Sequence, residues 1–265
     1  MNIKTSVVTT HGSTMTYFSF GSGKTPFVML PGISTRPVST LAPAVANAYK
    51  DFADRFTVYC FDPVTSPPDG YTIYDTARDT AAALDELGIR SACVFGVSMG
   101  AMTAQTLAVE RPDLVGKLIL SSTASRISPQ AEELLRRLNQ LAQSGDLQAL
   151  YLEFAKAVYT PSFFETYKDA ITAAFGGSSQ QDIDRFVKLT RAIIDFDIYD
   201  ELEKISCPVL VIGAGEDKVF GVQASCDIAQ KSGGKLYIYE GYGHAAYDEA
   251  PDYKQRLYEF FTSQE

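Results

Sequence analysis

The chain has 265 residues, 46% of them hydrophobic and 21% charged, with Leu, Ile, Val and Phe spread along its whole length. That composition excludes a disordered or fibrous chain and is enough for one sizeable core. Acidic side chains number 32 against 23 basic ones, a formal net charge of −9, which repels nucleic-acid phosphates and anionic membrane surfaces and leaves a small neutral or apolar molecule as the expected partner.

Residues Met1–Gly12 carry neither a basic n-region nor an apolar h-region, so no secretory signal is read and a cytoplasmic location is expected. Apolar, β-branched runs at Val7–Thr10 and Met15–Phe20, joined by a turn at His11–Thr14, predict an antiparallel hairpin. Further runs follow at Phe27–Leu30, Thr57–Phe61, Ala92–Phe95 and Leu118–Ser121. Several are almost continuously apolar, as in parallel strands covered on both faces. Helices are predicted between them at Thr76–Leu87, ended by Gly88, and at Met99–Glu110, closed by Pro112.

The alternation stops between about Arg126 and Lys204, where four helical segments follow one another. Ser128-Pro129 opens the first and Gly145 ends it; Asp146 opens the second; Ser162 opens the third, which Gly176-Gly177 ends; Ser178-Ser179 opens the fourth. Strands resume at Val209–Ile212 and Lys235–Tyr239. The expected fold is α/β, a doubly wound, mostly parallel sheet. Residues 1–125 and 205–265 form its core domain, and 126–204 form an inserted helical lid that shapes a pocket and excludes water.

The uncharged run Ser91–Val109 is long enough for a membrane span, but Gly96, Ser98, Gly100, Thr103, Gln105 and Thr106 interrupt it. It reads as strand, turn and helix, and no membrane span is expected. Cys60, Cys93, Cys207 and Cys226 show no close pair and no metal-ligand spacing, and the chain has two histidines. The cysteines are expected as buried thiols, with no metal and no cofactor. Monomer and homodimer are both left open.

Gly96-Val97-Ser98-Met99-Gly100 has the spacing of a nucleophile elbow, a tight strand-to-helix turn that projects a serine hydroxyl above a sheet. The string alone is weak, but a predicted strand runs into it and a helix of small residues leaves it. A serine hydroxyl needs a base within hydrogen-bond reach. His11 lies in the predicted hairpin turn, whereas His244 follows the last strand in the glycine-rich loop Glu240-Gly241-Tyr242-Gly243-His244. The base in turn needs an acceptor for its Nδ1 proton. Asp217, beyond the strand Val209–Ile212, is the candidate, with Glu216 as competitor. Oxyanion donors are expected from the Met99 N–H at the helix start and from the loop Pro31-Gly32-Ile33-Ser34, where Ile33 N–H is best placed. Asp62, in a proline-rich loop after the fourth strand, is expected to form structural hydrogen bonds. Tyr151, Phe154, Tyr159, Phe163, Phe164, Tyr167 and Phe186 of the insertion are candidates for an apolar pocket wall.

The chain resembles the α/β-hydrolase superfamily, in the serine-hydrolase branch with a helical lid between the sixth and seventh strands. The resemblance runs from Val28-Met29-Leu30-Pro31-Gly32 through Asp62, the elbow, Ile205–Ile212 and Gly215-Glu216-Asp217 to Gly243-His244-Ala245-Ala246 and Glu249-Ala250-Pro251. It rests on the order of these motifs more than on any one. It implies an eight-stranded sheet with the third strand between the fourth and fifth, Ser98 as nucleophile, Asp217 as acid, His244 as base, and Ile33 and Met99 as oxyanion donors. Pro31-Gly32 departs from the usual His-Gly of the oxyanion loop. The implied activity is hydrolysis of an ester or related acyl bond of a small, largely apolar substrate through an acyl-enzyme on Ser98. C–C bond hydrolysis, cofactor-free perhydrolysis and a non-catalytic ligand-binding module are the alternatives.

Overall fold

A computed structural model describes residues 2–10 and 12–264 of the chain. His11 lies outside them. The chain begins with an antiparallel hairpin of β1 (Lys4–Thr10) and β2 (Ser13–Phe20), followed by β3 (Thr25–Leu30), the short helix α1 (Ala42–Ala48) and β4 (Phe56–Phe61). Next come α2 (Ile73–Glu86), β5 (Ala92–Val97), α3 (Met99–Glu110) and β6 (Val115–Ser121). Four helices then run without an intervening strand of the sheet: α4 (Pro129–Ser144), α5 (Leu147–Val158), α6 (Pro161–Phe175) and α7 (Gln180–Ile194). The chain closes with β7 (Val209–Ala214), α8 (Val222–Ser232), β8 (Lys235–Tyr239), the single-turn α9 (Ala246–Glu249) and α10 (Tyr253–Thr262).

The strands form one eight-stranded sheet in the order β1-β2-β4-β3-β5-β6-β7-β8. The pairings β1·β2 and β2·β4 are antiparallel and the rest parallel. Every residue of β5 and of β7 is buried, which accounts for their unbroken apolar runs. One core packs α2, α3 and α8 against one face of the sheet. A second, rich in aromatic rings, packs α1 and α10 against the other. The third strand does lie between the fourth and fifth, so Cys60 and Cys93 stand on strands separated by β3, and all four cysteines are free. Cys60 and Cys93 are buried as expected, but Cys207 and Cys226 are half-buried.

Helix starts follow side-chain chemistry. Ser128, Asp146, Thr160 and Ser179 each accept a hydrogen bond from a backbone N–H of the first turn, satisfying donors that have no intrahelical partner. Two starts differ from expectation. α2 begins at Ile73 because Thr72 and Asp75 form a capping box, and α6 begins at Pro161, capped by Thr160 rather than Ser162. The insertion has its own apolar cluster around Leu138, Leu150, Phe154 and Phe186. Among the described residues, no helix is long and apolar enough to cross a membrane.

Candidate active site

Ser98 sits where β5 ends and α3 begins, with φ +53° and ψ −120°, a backbone that a non-glycine residue adopts only when its surroundings impose it. The glycines of the elbow supply those surroundings. A Cβ on Gly96 would lie 2.5 Å from Ala101 Cα, and one on Gly100 would lie 2.0 Å from the Leu30 carbonyl oxygen. The turn is therefore pressed against β3 and against its own helix. Ser98 N–H donates to the Ser121 carbonyl (2.9 Å), while the Ser98 carbonyl accepts from the buried Thr123 hydroxyl (2.9 Å) and from the N–H groups of Ala101 and Met102.

The loop after β3 passes directly beside this serine. A Cβ on Gly32 would stand 3.2 Å from Ser98 Cβ and 3.7 Å from its Oγ, so the backbone approaches as closely as it does because residue 32 has no side chain. Neither Ile33 N–H nor Met99 N–H donates to a described residue. Pro31 offers no side-chain hydrogen bond to hold the loop. Asp62, just past β4, fixes the chain beyond this loop, accepting from Val38 N–H (2.6 Å) and from Ser39 N–H (3.4 Å). Burial pushes the Asp62 carboxyl up, against the lowering effect of its hydrogen bonds to Ser39 and Val38. Its role here is structural, in line with the sequence reading.

The loops after β7 and β8 are tied together by Gly215 N–H to the Tyr239 carbonyl (2.9 Å) and Glu216 N–H to the Tyr242 carbonyl (3.0 Å). They bring His244 Nδ1 to 3.1 Å from Asp217 Oδ1 and 2.9 Å from Oδ2. Oδ1 also accepts from Val219 N–H (2.8 Å) and Phe220 N–H (3.1 Å). Burial alone would raise the Asp217 carboxyl, but the His244 ring and these two N–H groups outweigh it and hold it below the usual carboxylate range. Glu216 is exposed and does not meet the imidazole. His244 is 3% exposed, with the Phe220 ring 5.5 Å away.

The insertion contributes to this placement. Ala245 N–H donates to the Val158 carbonyl (2.9 Å), and Glu249 accepts from Thr160 N–H (3.1 Å) and from the Thr160 hydroxyl (2.6 Å). The histidine loop is thus clamped to the α5–α6 junction.

Ser98, Ile33 and His244 border one cavity of about 470 Å³. No direct hydrogen bond joins Ser98 Oγ to His244; nucleophile–base bonds of this kind commonly tighten only in the reacting complex. Of the insertion aromatics named from sequence, Phe154, Tyr159 and Phe186 line the cavity, joined by Leu134, Leu138 and Val158. Tyr151, Phe163, Phe164 and Tyr167 are not part of its wall. Sequence reasoning missed Tyr49, Tyr247 and Lys254, which line its other side. It also missed the signal in Thr123, a hydroxyl just past the strand beside the elbow. Among the described residues, no group of three or more His, Cys, Asp or Glu could hold a metal ion.

Comparison with known proteins agrees with this architecture. A family model described as alpha/beta hydrolase fold matches residues 25–251. The chain is 28% identical over 210 residues to 3-oxoadipate enol-lactonase 2 of Acinetobacter baylyi, covering 77% of this chain and 76% of that protein. Among solved structures, the enol-lactonase of Burkholderia xenovorans is similar with a TM-score of 0.85 at 23% identity, covering 97% of this chain and 100% of that one. An alpha/beta hydrolase enzyme from a Medee basin deep-sea metagenome library has a TM-score of 0.87 at 21% identity, covering 98% of each.

Proposed function

This chain belongs to the α/β-hydrolase fold family, and from that premise we propose that it is a serine hydrolase acting on an ester or related acyl bond through an acyl-enzyme on Ser98. The observation that carries the reading is His244, its Nδ1 2.9 Å from Asp217 Oδ2, bordering the same cavity as the elbow serine Ser98 and Ile33, with the N–H groups of Ile33 and Met99 unengaged. Asp217 holds the Nδ1 proton, so Nε2 is left as the acceptor. Ser98 Oγ attacks the substrate carbonyl carbon while its proton passes to His244 Nε2. The carbonyl oxygen becomes an oxyanion stabilised by the N–H groups of Ile33 and Met99. His244 then protonates the leaving oxygen, and the carbon–oxygen bond breaks to give the acyl-enzyme. Water, deprotonated by His244, repeats the addition, and the departing Ser98 Oγ recovers the proton.

The four-helix insertion, residues 126–204, acts as the lid of this site. Its apolar side chains and the cavity volume of about 470 Å³ suit a small, largely apolar substrate. The relatives named enol-lactonases favour a lactone as the ester. A panel of short and long p-nitrophenyl esters and small lactones tests the reading. Turnover that disappears in Ser98→Ala and persists in Cys93→Ala supports it; absence of turnover across the panel, or full activity in Ser98→Ala, refutes it.

A further inference from the structure

The cavity is chemically two-sided. Under the insertion its wall is largely apolar, with Ser34 and Arg36 from the loop after β3, whereas the side formed by the end of α1 and by α9–α10 carries Tyr49, Tyr247, Asp248 and Lys254. Tyr49 is 7% exposed, yet among the described residues its hydroxyl has no hydrogen-bond partner. The same holds for the half-buried Tyr247. Neither phenol oxygen is sealed inside protein, since neither is among the fully enclosed polar atoms that lack a partner. Burial pushes both phenols well above their ordinary pKa, so both stay protonated as donors.

Lys254 joins the group. Its Nζ donates to the Tyr247 carbonyl (2.7 Å) and lies 5.9 Å from the centre of the Tyr49 ring. Among the described residues it has no carboxylate within ion-pair distance. Asp248, the neighbouring acid, accepts from the Tyr159 hydroxyl at 3.1 Å. Buried donors left unpaired by the protein are costly unless a ligand or water pairs them. Two such phenol hydroxyls, beside an ammonium whose one protein partner is the Tyr247 carbonyl, stand on one wall of a reaction chamber and match an oxygen acceptor on the substrate.

We infer that Tyr49, Tyr247 and Lys254 form a recognition subsite for a hydrogen-bond-accepting oxygen, ketone or carboxylate, carried by the substrate away from the bond that is broken. This rests on the serine-hydrolase reading and narrows its substrate class from plain alkyl esters to oxygenated ones. The experiment compares kcat/KM for matched esters. On the acyl side these are p-nitrophenyl heptanoate, p-nitrophenyl 6-oxoheptanoate and mono-p-nitrophenyl adipate; on the alcohol side, heptyl acetate and the acetates of the corresponding ω-oxo and ω-carboxy alcohols.

In at least one series the wild-type enzyme should prefer an oxygenated member by about tenfold, as two modest hydrogen bonds allow. Tyr49→Phe and Tyr247→Phe, which keep the rings and their packing, should each reduce that preference, read as the ratio of oxygenated to alkyl ester within each variant, about threefold or more. A carboxylate preference lost in Lys254→Met as well as in the phenylalanine variants identifies the bound oxygen as a carboxylate; a ketone preference lost in the phenylalanine variants and kept in Lys254→Met identifies a carbonyl. Either result supports the subsite. Equal rates for matched esters in both series, or a preference that survives both phenylalanine variants, overturns it while leaving the hydrolase intact. Absence of any Ser98-dependent turnover would instead remove the underlying hydrolase reading, and the subsite with it.

Discussion

Replacing Asp217 by Asn changes one atom of the acid, and the surrounding bonds dictate which one. Oδ1 accepts from Val219 N–H at 2.8 Å and Phe220 N–H at 3.1 Å, so the amide oxygen must occupy that position. The NH₂ group then takes the place of Oδ2, 2.9 Å from His244 Nδ1. A donor there forces Nδ1 to act as acceptor and moves the imidazole proton to Nε2, the nitrogen that receives the Ser98 proton in the proposed mechanism. The same wrong-tautomer change costs about 10⁴-fold in serine proteases, equivalent to about 5.4 kcal/mol of transition-state stabilisation. We expect a loss of that order in kcat/KM for p-nitrophenyl butyrate, measured with circular dichroism and thermal melting to show that the fold persists. Glu216→Gln, at an exposed side chain with no hydrogen bond to the imidazole, should stay within about twofold of wild type, as surface substitutions usually do. An Asp217→Asn enzyme within tenfold of wild type would refute the assignment of the acid.

Three further outcomes follow from the same geometry. Gly96→Ala would place Cβ 2.5 Å from Ala101 Cα, and overpacking of this kind should cost about 1–3 kcal/mol or more, read as a lowered Tm; an unchanged Tm would contradict the steric account of the elbow. Gly243→Ala would set Cβ 2.9 Å from the Val158 carbonyl oxygen and 3.0 Å from Thr160 N, and the resulting shift of the His244 loop should lower kcat about tenfold or more, the scale on which displaced catalytic groups lose rate. As to pH, Asp217 is held below the ordinary carboxylate range, so its contribution to stability is present above the unfolded value of about 3.9 and is lost only as pH falls through the lowered folded value. It therefore stays ionised on mild acidification and should add no proton uptake of its own to the acid limb of log kcat/KM, whose slope should not exceed one; a slope of two would contradict this.

Much of the architecture could be read from the residues because local and global signals agree. β5 and β7 are apolar throughout since both faces are covered, and Ser128, Asp146 and Ser179 mark helix starts where their side chains do cap. Where competing signals adjoin, the reading moved. Thr72 and Asp75 form a capping box four residues before the expected start of α2, hidden by the Pro67-Pro68-Asp69-Gly70 loop just ahead of them. α1 is a short alanine-rich helix without a periodic apolar face, and it went unread. Tyr49 at its end was lost with it. Ser98, Asp217 and His244 were accessible because each stands in a short motif at the end of a strand. Tyr49, Tyr247 and Lys254 come from three segments without such motifs and meet only through the packing of α1 and α10 on one face of the sheet. Asp62 was legible as a hydrogen-bonding acid, but its partners Val38 and Ser39 emerge only from the folded chain.

The most direct test of the central claim is covalent capture of the nucleophile. The protein is treated with a fluorophosphonate, its intact mass is recorded, and the modified peptide is mapped in parallel with Ser98→Ala. The account predicts one adduct per chain, on Ser98, formed together with loss of esterase activity and absent from Ser98→Ala. Labelling at another residue, or esterase activity that persists with Ser98 fully modified, would contradict it.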